Sequence, residues 1–136
     1  MATVSSKKEI INILKHYTDE LRKEIHLEQL YLFGSYVSGT ANSDSDIDVL
    51  VVSSDFSDDI MENQMLLRRI RRKIDLRIEP HPVKTENLEH SVLFSMIKDK
   101  ALKLIWNIGC CFYLKKATAI KGEVILAKIS MIDVNY

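Results

Sequence analysis

The stretch spanning residues 46–53, DIDVLVVS, constrains this chain more than any other. From Val49 onward its apolar residues fall at both parities, and a strand that is apolar on both sides needs a covering layer over each face. It predicts a central strand with packed elements above and below. The opening of the stretch has the opposite character. Asp46 and Asp48 are two residues apart, so their side chains share one face while Ile47 takes the other. Paired anions beside a buried strand are costly unless a cation compensates them, and a divalent metal is the expected compensator. The alternative is that acidic turn residues simply start the strand in solvent.

The surrounding segments read as helices and strands in turn. Ser6 followed three residues later by Glu9 is a capping-box pattern, and Ile10, Leu14, Tyr17 and Leu21 recur at helical spacing, predicting a helix over 7–23. Residues 27–33, LEQLYLF, are β-prone and stop at Gly34, and SYVSGTA beyond them forms a short helix or a turn. Residues 58–73 predict an amphipathic helix, with Ile60, Met61, Met65, Leu66, Ile70 and Ile74 on its inner face and arginines elsewhere. Residues 74–79, IDLRIE, alternate and predict a third strand, halted by Pro80-His81-Pro82 because proline cannot donate to a ladder. Thr85 is expected to cap a helix reaching about residue 100, with Leu88, Val92, Met96 and one of Phe94 or Ile97 inward, before a short strand at LKLIW. In the tail, CCFYLKK and EVILAKISMIDV are both β-prone and are separated at Lys121-Gly122.

At 136 residues the chain fits one domain, and 46% hydrophobic with 28% charged residues matches an ordinary globular protein. Nineteen basic residues balance nineteen acidic ones, which disfavours a long nucleic-acid partner held by net charge. Cys110 and Cys111 are neighbours, unable to staple distant segments and without zinc-site spacing, so a reducing setting is expected. No run approaches the roughly 18 apolar residues of a membrane span, and MATVSSKKEI does not read as a signal peptide; a cytoplasmic protein is expected.

If the strand carrying Asp75 lies beside the one carrying Asp46 and Asp48, three carboxylates converge, enough to hold two Mg²⁺ ions about 3.5 to 4 Å apart. Such a cluster suits phosphoryl transfer. Gly34 and Ser35 follow the first strand where a helix begins, so backbone amides and a hydroxyl are offered to phosphate oxygens. GSYVSGT spaces its glycines like a P-loop, but Thr40 stands where the lysine belongs. The run from Asp44 to Asp48 imitates an EF-hand, yet Val49 replaces its glycine and Asp55 its glutamate.

These residues together resemble a known family. LYLFGSYVSGTANSDSDIDVLVVS is similar to the signature of the DNA polymerase β-like nucleotidyltransferase superfamily, in particular its minimal nucleotidyltransferase branch. That branch separates Gly-Ser from Asp-x-Asp by ten residues, the spacing found between Gly34-Ser35 and Asp46-x-Asp48. The resemblance continues through KIDLRIEPHPV, where Asp75 takes the position of the third carboxylate, to near Trp106. It implies an α+β fold, a mixed β-sheet flanked by helices, with a nucleotidyltransferase domain over 1–106 and a C-terminal extension over 107–136 packed on it. It also implies that Asp46, Asp48 and Asp75 bind Mg²⁺ and carry catalysis, and that Gly34 and Ser35 hold the phosphates of ATP. Where many relatives carry an arginine soon after Gly-Ser, this chain has Tyr36 and Ser38.

Minimal nucleotidyltransferases of this kind are often encoded beside a HEPN-domain ribonuclease toxin and transfer AMP to it, so the resemblance implies a protein adenylyltransferase acting as antitoxin. The rivals are a non-catalytic antitoxin that binds its partner, and transfer of a nucleotide to a small molecule such as an antibiotic. Among the remaining residues, Arg68, Arg69, Arg71, Arg72 and Lys73 read as a solvated helix face. Arg77 either neutralises phosphate or pairs with a carboxylate, and His81 reads as a turn histidine, the alternative being a place at the rim of the site.

Overall fold

Ser6 Oγ accepts the Glu9 amide at 3.2 Å and starts helix α1, Lys7–Arg22, as the capping pattern requires. The computed structural model describes residues 6–107, 110–114 and 129–131. Strand β1, Leu27–Phe33, leads into a single helical turn, α2, Ser35–Ser38, and then to β2, Ile47–Ser53. Helix α3, Ile60–Arg71, is capped by Asp59, whose carboxylate accepts the Met61 amide at 2.9 Å. Strand β3, Ile78–Lys84, a 3-10 segment Thr85–His90, helix α4, Val92–Ile97, and strands β4, Leu102–Asn107, β5, Cys110–Leu114, and β6, Ile129–Met131, complete the described chain.

The strands form one mixed sheet in the order β3-β2-β1-β4-β5-β6, with β2 parallel to β3 and its other pairings antiparallel. β5 and β6 belong to the C-terminal extension and continue the sheet of the rest of the chain. The remainder of the β-prone segment EVILAKISMIDV lies outside the described residues.

β2 is buried as its sequence demands, with every residue from Val49 to Ser53 at 0% exposure. On one face Ile47, Val49 and Val51 join Leu30, Leu32, Leu102 and Leu104 beneath α1 and α3, which contribute Ile10, Leu14, Tyr17, Leu67 and Ile70. On the other, Leu50, Val52 and Tyr31 are covered by Leu88, Phe94 and Ala101, with the Tyr31 and Phe94 rings 5.5 Å apart. Each such side chain contributes about 1.5–3 kcal/mol by leaving water.

Three expectations are corrected. The face of α3 is shifted at its start: Ile70 is buried and Leu66 and Ile74 pack on the core as expected, but Ile60, Met61 and Met65 are exposed and Asn63 and Leu67 are buried. The Asn63 side chain causes this, donating to the Ser57 carbonyl at 2.8 Å and accepting the Ser57 amide at 3.0 Å, so the preceding turn fixes the helix phase. The helix expected from Thr85 is two pieces, because Ser91 Oγ accepts the Phe94 amide at 3.1 Å and caps a new start. Leu88 and Phe94 then face inward while Val92 and Met96 are exposed.

The third correction concerns β3, which begins four residues later than the alternation suggested and runs through both prolines. The Ile47 amide donates to the Arg77 carbonyl at 2.8 Å, so the odd-numbered residues of β3 turn their amides toward β2 and the even-numbered ones turn theirs away. Pro80 and Pro82 therefore lie with their nitrogens on the open edge, where no ladder bond is lost. Arg71 covers the same edge, donating to the Ile78 carbonyl at 2.7 Å and the Leu76 carbonyl at 3.3 Å. The arginines of α3 are thus more than a solvated face: Arg69 also pairs with Glu24 at 2.6 Å.

No helix among the described residues is long and apolar enough to cross a membrane. Tyr17 ties the two helices of the first face together, its phenol donating to the Leu67 carbonyl at 2.9 Å from a fully buried position. Tyr17→Phe should therefore lower stability by about 1 kcal/mol, read as a reduced urea midpoint with an unchanged slope; an unchanged midpoint would mean the bond contributes nothing net.

Candidate active site

The end of β1 and the start of β2 meet because the two strands are antiparallel, with Phe33 opposite Asp48. One residue further, Gly34 adopts φ 81° and ψ −150°, a conformation essentially reserved for glycine. The space beside it is already taken. A Cβ on Gly34 would collide with a carboxylate oxygen of Asp48 and stand 3.2 Å from its Cγ. Glycine is required there both by backbone conformation and by the approach of the acid.

The Gly34 carbonyl accepts the amides of Val37 and Ser38 at 3.0 Å, starting the single turn of α2, which Gly39 closes at φ 82°. Ser35 is the first residue of this turn, directly beside the Gly34–Asp48 contact. The polar loop that follows is organised by its own side chains: the Asn42 carboxamide accepts the Asp44 amide at 2.8 Å, and Ser45 Oγ accepts the Asn42 amide at 2.8 Å. It delivers an exposed Asp46 to the threshold of β2, one residue before the buried Ile47.

Asp48, 29% exposed, shares its face with Leu50 and Val52. The parallel register sets Glu79 opposite Asp48 and His81 opposite Leu50, so Asp48, Glu79 and His81 project from the same side of the sheet. His81 Nε2 lies 3.9 Å from Asp48 Oδ1, and its ring is tilted against Phe33 at 5.5 Å. His81 is thus a strand residue at the site, not a turn histidine. Glu79 faces Arg68 at 3.4 Å and Arg71 at 3.7 Å.

Asp75 stands elsewhere. It lies in the turn between α3 and β3, ahead of the first ladder residue Ile78, and its carboxylate is held by Arg77. Oδ1 accepts the Arg77 amide at 2.8 Å and Nε at 3.1 Å, and Oδ2 accepts Nη2 at 2.9 Å. The Arg77 guanidinium keeps the carboxyl below its usual range despite partial burial. In turn Asp75 raises the Arg77 pKa, with a smaller contribution from Tyr36. Of the two readings of Arg77, pairing with a carboxylate is the one observed.

The structure therefore brings together Gly34, Ser35, Asp46 and Asp48, adds Glu79 and His81, and leaves Asp75 in the adjoining turn. Glu79 is the site residue that the sequence reading lacks, because prolines are expected to halt a strand; the alternation of Ile78, Glu79, Pro80, His81, Pro82 and Val83 is the signal that finds it. Among the described residues no three His, Cys, Asp or Glu side chains form a ready-made metal cage. The donor chemistry nonetheless suits a hard cation: the exposed Asp46 and the part-buried Asp48 and Glu79 carry only carboxylate oxygens, with the Glu79 carboxylate also drawn toward Arg68 and Arg71 of α3.

The chain has relatives of known structure and name. A stretch of 43 residues, 32% of this chain, is 46% identical to protein adenylyltransferase MntA of Thermococcus cleftensis and spans 43% of that protein, less than half its length. A crystal structure from Sulfolobus solfataricus ascribed to a nucleotidyltransferase shares the fold, with a TM-score of 0.54 at 18% identity over 74% of this chain and 84% of that one. A crystal structure of a toxin-antitoxin with AMP-PNP matches with a TM-score of 0.50 at 27% identity, over 68% of this chain and 70% of that one. The family described as nucleotidyltransferase domain matches residues 8–125, nearly the whole length, and the chain belongs to that family.

Proposed function

We propose that the chain transfers AMP from ATP to a hydroxyl of a partner protein, with Mg²⁺, as the antitoxin of a HEPN-type toxin. The observation that carries this reading is the packing of the Asp48 carboxylate against Gly34, which joins the acidic pair of β2 to the Gly-Ser turn in one site. The partner class is supported by similarity to a protein adenylyltransferase and to a toxin-antitoxin with AMP-PNP.

Asp46 and Asp48 are the metal-binding pair, and Glu79, in register with Asp48, serves as the third carboxylate. Bound Mg²⁺ would neutralise these acids and the triphosphate and stabilise the leaving pyrophosphate. Gly34 lets the phosphates approach the backbone, while the amides of Ser35 and Tyr36 at the start of α2 and Ser35 Oγ receive their oxygens. The acceptor oxygen bonds to the α-phosphorus as the bond to the β-phosphate oxygen breaks, and Glu79 takes the hydroxyl proton. No lysine or arginine stands between Ser35 and Asp46, so the site lacks a cation from that loop.

The test is to incubate the protein with its partner polypeptide, Mg²⁺ and α-labelled ATP. Wild-type protein should label the partner, and Asp46→Asn should reduce labelling at least about 100-fold, the scale of losing several kcal/mol of charge stabilisation. Undiminished labelling would sink the mechanism, and a complex that forms normally with no turnover in either protein would favour a binding-only antitoxin. Gly34→Ala should cost about 1–3 kcal/mol of stability from backbone strain and suppress labelling as the Asp48 carboxylate is displaced. Urea denaturation and the same assay read both; a neutral result in each would contradict the close approach at Gly34.

A further inference from the structure

Asp75 lies in the turn between α3 and β3 with both carboxylate oxygens hydrogen-bonded by Arg77. What the bonds do follows from where Arg77 sits. Its amide is held by Asp75 Oδ1 at 2.8 Å, and its carbonyl accepts the amide of Ile47 at 2.8 Å. Ile47 is the residue between Asp46 and Asp48. Gripping one side of Arg77 therefore orients the carbonyl that forms the first bond between the turn and β2.

That bond decides the site's composition. With it, Ile47 pairs with Ile78 and Asp48 with Glu79. A slip of one residue would send Glu79 to the face of α1 and α3 and turn Ile78 toward Asp48, because side chains alternate along a strand. The turn is anchored upstream as well, since the Ile74 and Asp75 amides both donate to the Arg71 carbonyl at 2.9 Å, the last residue of α3.

We propose that Asp75 is a positioning residue: through Arg77 it locks the turn entering β3 and so sets the register that puts Glu79 opposite Asp48. This deepens the reading of Asp46, Asp48 and Glu79 as the metal-binding carboxylates and rests on it. Asp75 touches neither metal nor substrate in this scheme, and its side-chain amide analogue should preserve the part of its role that matters, the acceptor for the Arg77 amide.

The experiment compares Asp75→Asn, Asp75→Ala and Asp48→Asn by two readouts: Mn²⁺ affinity from electron paramagnetic resonance, and hydrogen exchange of the Ile47 amide in metal-free protein. Asp75→Asn should keep Mn²⁺ affinity within about threefold and keep Ile47 protected, whereas Asp75→Ala should lose about 10- to 100-fold in affinity, as outer-shell changes do, while Ile47 exchanges faster. Asp48→Asn should lose Mn²⁺ binding with Ile47 still protected. If Asp75→Asn loses Mn²⁺ as Asp48→Asn does and Ile47 stays protected, Asp75 is a ligand and the proposal is overturned. It is equally overturned if Asp75→Ala changes neither readout. Should Asp75→Ala fail to fold, Asp75→Asn decides alone by the same criteria. If Asp48→Asn leaves Mn²⁺ affinity intact, the metal-site reading fails, while Ile47 exchange still judges the clamp.

Discussion

β2 has no side that tolerates water beyond Asp48. Five consecutive residues, Val49 to Ser53, are fully buried, and a strand with that character must be enclosed before it can form. The enclosure is asymmetric. Two long helices supply one cover, and a 3-10 segment with a one-and-a-half-turn helix supplies the other, thinner one. The thinner cover stops short of the end of β2 where Asp48 stands, which leaves that acid with a solvent-facing side while its neighbours have none.

The site follows from that boundary between an apolar run and a charged start. β1 arrives antiparallel and ends where β2 begins, so the glycine turn after Phe33 is carried against the acid. β3 arrives parallel and contributes Glu79 and His81 to the same side. No long loop is needed to assemble these groups. Asp48 and Glu79 are the second residues of their strands, His81 is two further along β3 and Gly34 directly follows β1, so backbone geometry is set by the ladder, and this is how rigid elements fix functional side chains to within fractions of an ångström.

Much of this could be read from the chain itself. The Ser6 cap, the spacing from Ile10 to Leu21 and the burial of β2 depend on contacts within a few residues or on the pattern of apolar residues along one segment. What escaped depended on partners far away. The two prolines look like a barrier until the strand is known to be an edge, and only the Ile47–Arg77 bond reveals which way their nitrogens point. The phase of α3 was set by Asn63 gripping a turn, a polar side chain that apolar periodicity ignores. Asp75 matched by position along the sequence, yet an arginine two residues on claims its carboxylate, and no spacing rule contains that competition.

The outward prolines of β3 have a consequence for how this molecule meets other chains. An exposed strand normally invites another strand to dock alongside it, in aggregation or in recognition by β-augmentation. Here the nitrogens at positions 80 and 82 have no hydrogen to give, and the Ile78 carbonyl is already taken by Arg71. The margin nearest the carboxylates is therefore closed to strand addition, so a macromolecule that meets the chain there contacts side chains instead of extending the backbone ladder.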